Sequence, residues 1–259
     1  MRNELPRLKQ KIEHELRRLL PSERTEPVLL HRAMRYGVLA GGKRLRPMLV
    51  LLAGDIAGVD RKKLLPLACA LEMIHNFSLV HDDLPAMDDD DFRRGKPTCH
   101  KVFGEAVAVL AGDALLTLGF EILARQGSAA AVTLTAQAIG SRGMAGGQAL
   151  DILARGKKLP AGPKKRLDQM KTGRLFEACF ALPLLFKEVS PATKKALECL
   201  GCDFGLGFQI RDDIEDREGD QAKLEARLAA LRGRMQETVR SFGFRGRNLA
   251  GLLDMVYGK

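Results

Sequence analysis

The segment DDLPAMDDDD, Asp82 to Asp91, packs six aspartates into ten residues directly behind an apolar stretch, ACALEMIHNFSLVH. Carboxylates this close repel one another, which raises some of their pKa values unless a cation intervenes. A chain with this segment must hold the apolar stretch in a core and present the acids at its edge. Pro85 stops a helix just after Asp83, leaving Asp82 and Asp83 at the carboxyl end, where the helix dipole already disfavours anions. So much negative charge in that place points to a divalent metal, against the plainer reading of a solvated acidic loop. A second group, Asp212, Asp213 and Asp216 in GFQIRDDIEDREGD, strengthens the metal reading. Asp212 and Asp216 are four apart and share one helical face, and an apolar stretch, CDFGLGFQI, again leads into them. The expectation is two helices that face one another and share metal ions. Oxygen ligands of this kind suit Mg²⁺, and no EF-hand pattern is present.

Helical spacing dominates the rest of the 259 residues. Leu5, Leu8, Ile12, Leu16, Leu19 and Leu20 recur at intervals of three and four, one amphipathic face. Further helices are expected over Thr25–Gly37, Arg46–Gly54, Lys62–Asp83, Gly104–Arg125, Ala129–Ala154, Pro163–Leu185, Pro191–Asp216 and Gln221–Phe242, with a short one closing the chain. Gly41-Gly42, Gly95-Lys96-Pro97 and the Gly156 to Pro163 stretch are breaks. Alternating β-branched runs with hairpin turns are missing. The reading is one all-α domain, residues 1–259, of about eight to ten helices.

The apolar run Ala106 to Leu123 is interrupted by Asp113 and Glu121, so no membrane span is expected. The N-terminus lacks the apolar core of a signal peptide, and the expected location is cytoplasmic. Five scattered cysteines argue against a disulfide framework, and the single C-x-x-C of Cys199 and Cys202 is a weak zinc or redox signal. Net charge is +10. With no zinc-finger spacing and no arginine-rich arm, nucleic acid is not the expected partner; small anionic substrates are.

Cationic groups accompany the acidic motifs. Gly41-Gly42-Lys43-Arg44-Leu45-Arg46-Pro47 is a glycine turn with three positive side chains, Arg93 and Arg94 follow the first acidic cluster, and Lys171-Thr172-Gly173 opens another helical stretch. Arginine forks match phosphate oxygens in pairs, and lysine supplies a point charge. The set describes a site for metal-bound diphosphates, although GGKRLRP is not a Walker loop.

These motifs in this order, GGKRLRP, IHNFSLVHDDLPAMDDDDFRRGKPTCHKVFGEAVAVLAGDALL, GMAGGQALD, KTG and GFQIRDDIED, resemble the trans-prenyltransferases, the head-to-tail isoprenyl diphosphate synthases, and within them the bacterial farnesyl branch. The resemblance runs from about Tyr36 to Gly219. It implies a bundle of about ten mostly antiparallel helices around a central active-site cavity, and a homodimer. It implies that Asp82, Asp83, Asp88, Asp212, Asp213 and Asp216 bind three Mg²⁺ ions, with Mn²⁺ as an alternative ion. Lys43, Arg46, His75 and Arg94 match the pocket for isopentenyl diphosphate. Arg93, Lys171, Thr172 and Gln209 match groups around the allylic diphosphate, dimethylallyl or geranyl. Asp82, Asp83, Asp88, Arg93, Lys171 and Asp212 would carry the catalysis, and Gln148 and Asp151 match a further signature near the site. Phe77, five residues before Asp82 and so about 7.5 Å down the helix, resembles the residue that limits product length.

Two departures stand out. Where the family carries a lysine-containing lid after the second acidic motif, Asp220 here runs straight into QAKLEARLAALRGRM, and a break in the chain between Gly219 and Leu224 is expected. Glu215 stands where an apolar residue is usual. The missing lysines leave two other readings open: a non-catalytic or regulatory subunit of a prenyl synthase, and a synthase of geranyl or geranylgeranyl diphosphate.

Overall fold

The computed structural model describes residues 4–156, 159–217 and 219–258. It is all-α apart from one two-residue hairpin. The helices are α1 (Glu4–Leu19), α2 (Val28–Leu39), α3 (Leu45–Ala57), α4 (Arg61–Asp82), α5 (Cys99–Phe103), α6 (Glu105–Ile122), α7 (Ala129–Ile139), α8 (Met144–Ala154), α9 (Ala161–Asp168), α10 (Arg174–Ala181), α11 (Pro191–Glu215), α12 (Gln221–Arg240) and α13 (Arg247–Tyr257). The chain falls into two compact units. Residues through Met48 with Lys62–Val132 make the first, and Leu49–Arg61 with the chain from Thr133 onward make the second.

In the first unit, α4 is the core helix. Leu64, Leu67, Ala68, Leu71 and Ile74 are wholly buried on it, so apolar burial, not surface propensity, holds its 22 residues together. The periodic face of α1 buries Leu8, Ile12 and Leu16 as its spacing requires. Glycines on α6 decide how closely α4 can approach. A Cβ at Gly119 would stand 2.6 Å from Ile74 Cγ1, and one at Gly112 would stand 2.1 Å from the His81 ring.

Arg44 belongs to this core and not to a binding surface. It is 1% exposed, and its guanidinium donates to Glu13 (2.7 Å), Glu72 (3.0 Å) and the Val38 carbonyl (2.7 Å). A buried cation is tolerated only when paired and hydrogen-bonded in this way. Of the three positive residues in the GGKRLRP turn, the middle one is therefore structural.

In the second unit an aromatic chain ties three helices. Phe176 on α10 lies 5.0 Å from Phe204 on α11, and Phe204 lies 5.3 Å from Tyr257 on α13. The Tyr257 hydroxyl donates to the Phe204 carbonyl at 2.6 Å. α12 returns antiparallel along α11: Arg234 pairs with Asp203 (2.9 Å), and Leu231 lies against Gly207.

The structure corrects several expectations. Ala129–Ala154 is two helices: a Cβ at Gly143 would stand 2.1 Å from the Ala138 carbonyl oxygen, and the chain breaks between Ile139 and Met144. Phe92–Arg93 pairs with Lys96–Pro97 as an antiparallel hairpin, through a turn in which Arg94 (φ 55°) and Gly95 (φ 75°) are both left-handed. That is the turn geometry which suits a tight hairpin. Where a break was expected, between Gly219 and Leu224, the chain turns directly into α12. Asp220 caps α12 by accepting from the Lys223 N–H (3.2 Å), and the Leu224 N–H donates to the Asp220 carbonyl (3.0 Å). Left-handed Arg217 and Gly219 make so short a reversal from α11 feasible.

Two stretches, Arg61–Asp82 and Glu105–Gly127, are long and apolar enough by length and composition to cross a membrane. The first is mostly buried within its unit. The second is mostly not, and leaves Val109 and Leu110 exposed.

Candidate active site

The first acidic motif begins where α4 ends, at Asp82, one residue earlier than Pro85 alone would require. The following loop is wound by its own backbone. The Asp88 N–H donates to the Asp82 carbonyl (2.9 Å), and the Met87 N–H to that of Leu84 (2.8 Å). Asp83 points inward and is 3% exposed. Arg93 meets it from the hairpin: Nε donates to Asp83 Oδ1 at 2.5 Å, and Nη2 to Asp90 at 3.1 Å. Burial raises the Asp83 pKa, and the Arg93 guanidinium only partly opposes that.

The hairpin also aims Arg94. Its guanidinium donates to the Gly41 carbonyl and reaches Asn76 Oδ1 (3.4 Å). A Cβ on Gly42 would stand 2.9 Å from that guanidinium, at a backbone φ of 128°, so both glycines of the turn are required for Arg94 to lie across it. His75 lies about two turns below Asp82 on α4. Burial pushes its pKa well below the ordinary value, and the neighbouring Arg46, Arg94 and Arg93 push it further, so the imidazole is neutral near pH 7. The structure thus gathers Arg46, His75 and Arg94. Lys43, at the same turn, is exposed.

Phe77 is half-buried on α4, its ring edge-on to His81 at 5.3 Å. His81 in turn contacts the Val109 carbonyl of α6 (2.9 Å).

In the second unit, Lys171 and Thr172 lie on a π-helical turn, Gln169–Gly173, set between α9 and α10. π turns of this kind are often found at functional sites. Two glycines hold it. A Cβ on Gly147 of α8 would stand 2.2 Å from the Lys171 backbone nitrogen, and one on Gly205 of α11 would stand 2.8 Å from the Gly173 Cα. Lys171 Nζ pairs with Asp151 at 2.5 Å. Gln148 is 8% exposed with neither amide atom bonded to a described residue.

The second acidic motif ends α11. Burial pushes the Asp212 carboxyl up to about 6, with Arg211 opposing and Glu215, Asp216 and Asp213 adding to the rise. Asp213 accepts from Lys164 Nζ at 2.9 Å and, weakly, from Gln209 at 3.5 Å. Asp216 is exposed at the end of the helix. Glu215 pairs with Arg211, four residues earlier, at 3.1 Å from Nε.

Among the described residues no three Asp, Glu, His or Cys side chains converge closely enough to hold a metal ion. The donors nonetheless fit one. They are all carboxylates, and Asp83 and Asp212 carry an unfavourable charge that burial exacts and a cation would relieve. Where that charge is met at Asp83 and Asp213, Arg93 and Lys164 meet it. Sequence reasoning missed Lys164, because AGPKKR reads as an ordinary solvated face, and missed Asn76, an apolar helix's isolated amide.

The polyprenyl synthetase family model matches residues 27–229. The farnesyl diphosphate synthase of Escherichia coli is 46% identical over 224 residues, covering 82% of this chain and 73% of that protein. The farnesyl diphosphate synthase of Bacillus subtilis is 42% identical over 212 residues, covering 79% and 72%. The crystal structure of a geranyltransferase from Legionella pneumophila superposes with a TM-score of 0.92 at 37% identity, covering 99% of this chain and 96% of that one. With the two acidic motifs, the glycine turn and the lysine-bearing π turn all within or beside the matched span, this chain belongs to the polyprenyl synthetase family.

Proposed function

We propose that the chain condenses an allylic diphosphate, dimethylallyl or geranyl, with isopentenyl diphosphate to give farnesyl diphosphate. One feature carries this most: His75, its pKa pushed down by burial and by the neighbouring Arg46, Arg94 and Arg93, sits below Asp83, which is buried and met by Arg93. A neutral imidazole hydrogen-bonds an anion without adding a competing charge, while Arg46 and Arg94 supply the attraction. We assign Lys43, Arg46, His75 and Arg94 to isopentenyl diphosphate, and Arg93, Lys171, Thr172 and Gln209 to the allylic diphosphate.

Asp82, Asp83, Asp88, Asp212, Asp213 and Asp216 are the Mg²⁺ ligands in this reading. Bound Mg²⁺ neutralises charge on the leaving diphosphate. Arg93 and Lys171 share that task and hold the leaving group in place. Ionisation of the allylic C–O bond gives a cation, and the double bond of isopentenyl diphosphate, fixed by its basic groups, attacks it. A proton then leaves to the departed diphosphate. No side-chain nucleophile is needed, and apolar walls keep water from the cation.

The exposed apolar residues of α5 and α6, Val102, Val109 and Leu110, support a homodimer. A cytoplasmic location goes with this reading. The direct run from Asp220 into α12 favours a second reading, a non-catalytic partner subunit. Incubation with dimethylallyl and isopentenyl diphosphates, with and without Mg²⁺, decides between them: a fifteen-carbon product formed only with Mg²⁺ is expected, and none would establish the second. Asp82→Ala and Asp212→Ala are each expected to lower turnover by about three orders of magnitude with an unchanged circular dichroism spectrum.

A further inference from the structure

A cleft of about 950 Å³ opens on the first unit, away from the groups assigned above, between the end of α1, the loop after it, one face of α2 and strand Lys96–Pro97. Its floor is apolar, formed by Leu20, Leu39 and the Phe103 ring. Its rim is cationic: Arg17, Arg24, Arg32 and Lys96 line it, all exposed, and no ion pair joins any of the four to a described residue. Two further arginines are already engaged. Arg18 pairs with Glu15 (2.6 Å), and Arg35 donates to the carbonyls of Arg17, Leu20 and Pro21 (3.2, 3.3 and 3.2 Å). Arg35 thereby closes the open end of α1 and fixes the wall from which Arg17 projects. Glu23 alone supplies negative charge to the lining.

Four uncompensated cations around an apolar floor form a surface for an amphiphilic polyanion. Arginine forks match phosphate oxygens, the concave shape concentrates the field on a small ligand, and the floor would bury hydrocarbon that water rejects. A duplex or a membrane surface asks for an extended basic face, whereas these charges rim one open cleft with an apolar floor. The cleft also touches the catalytic hairpin. Tyr36 lines it and donates its hydroxyl to the Pro97 carbonyl at 2.7 Å, and Lys96 lies two residues beyond Arg94.

We propose that this cleft is a second diphosphate site, outside the catalytic groups, that takes a prenyl diphosphate with its anion on Arg17, Arg24 and Arg32 and its chain on the apolar floor. The choice of ligand rests on the prenyltransferase reading; the test does not, because it measures binding and not turnover. The triple variant Arg17→Gln, Arg24→Gln, Arg32→Gln removes the rim and leaves every assigned catalytic group in place. Equilibrium dialysis of farnesyl diphosphate in EDTA is expected to show one equivalent more on the wild type than on the variant. The variant should keep the wild-type melting temperature, and the wild-type kcat and KM for isopentenyl diphosphate when product is removed as it forms. Equal stoichiometry and affinity in the two proteins would overturn the proposal, and so would binding that requires the three arginines but only on anionic vesicles. In a parallel titration inorganic diphosphate should bind the extra site about tenfold more weakly or worse. Equal affinity would overturn the assignment of the floor to a hydrocarbon chain.

Discussion

Asp212 shows how one side chain ties the fold to the chemistry. Its carboxyl is pushed up to about 6 from an ordinary 3.8, so the folded chain holds this proton more tightly than the unfolded chain does. Stability contributed by this group is therefore greatest below the ordinary carboxylate range, falls as pH rises toward about 6, and is level above it. The expected outcome is a melting temperature that drops across that window, flattened in Asp212→Asn. Mg²⁺ should raise the wild-type melting temperature more at about pH 7.5 than at about pH 5, because the cation relieves a charge present only above the window. Thermal scans at both pH values, with and without Mg²⁺, check both statements, and a pH-independent Mg²⁺ effect would count against Asp212 as a ligand. Phe77 is the other residue with a measurable role. It stands on the same helix as the first acidic motif, half-buried and ring-edge to His81. Phe77→Ala is expected to lengthen the product from fifteen to twenty or more carbons, read by chromatography beside wild type. An unchanged distribution in an active variant would place the floor of the hydrocarbon pocket elsewhere.

At the scale of elements, the site depends on close approach of backbones. Gly147 lets α8 touch the turn that carries Lys171. Gly147→Ala would drive a methyl group into that backbone, at a cost of about 1–3 kcal/mol and a loss of turnover of up to about a hundredfold through displacement of Lys171. A variant that melts and turns over like wild type would show the contact to be slack. These elements also show what the sequence could and could not reveal. The long helices were legible because their apolar spacing is regular and their ends are marked, as at Pro85 and at Pro191 with its Ser190 cap. The split between α7 and α8 was not, since an Ala-rich run has high helix propensity on both sides of Gly140 and Gly143, and only the close approach of Gly143 to Ala138 enforces the break. The hairpin was hidden because two residues per strand are too few for any alternation to register. The identities of Lys43, Arg46, His75 and Arg94 came from motif order. The burial that keeps His75 neutral, the inward turn of Arg44, and the Lys164 partner of Asp213 depend on packing that no linear pattern records.

For the molecule as a whole, the face of α6 is the feature that asks for a partner. Leu110 is 56% exposed and Val109 is 39% exposed, on a stretch more apolar than a solvent-facing helix sustains alone. Leu110→Glu is expected to halve the mass measured by light scattering, and a wild type that is already monomeric would refute the dimer. The chain also carries a five-residue π turn within the otherwise α-helical run from Ala161 to Ala181. Such a turn holds one residue beyond what α-helical winding requires, and each residue of an α-helix turns the chain by about 100°. Deleting one residue there would let the run rewind as an ordinary helix with its two flanks still in register, and the residues within the turn would swing to new directions. A deletion of this size, harmless in a surface loop, is here a change of aim: Lys171 and the buried ring of Phe176 could not both keep their present directions.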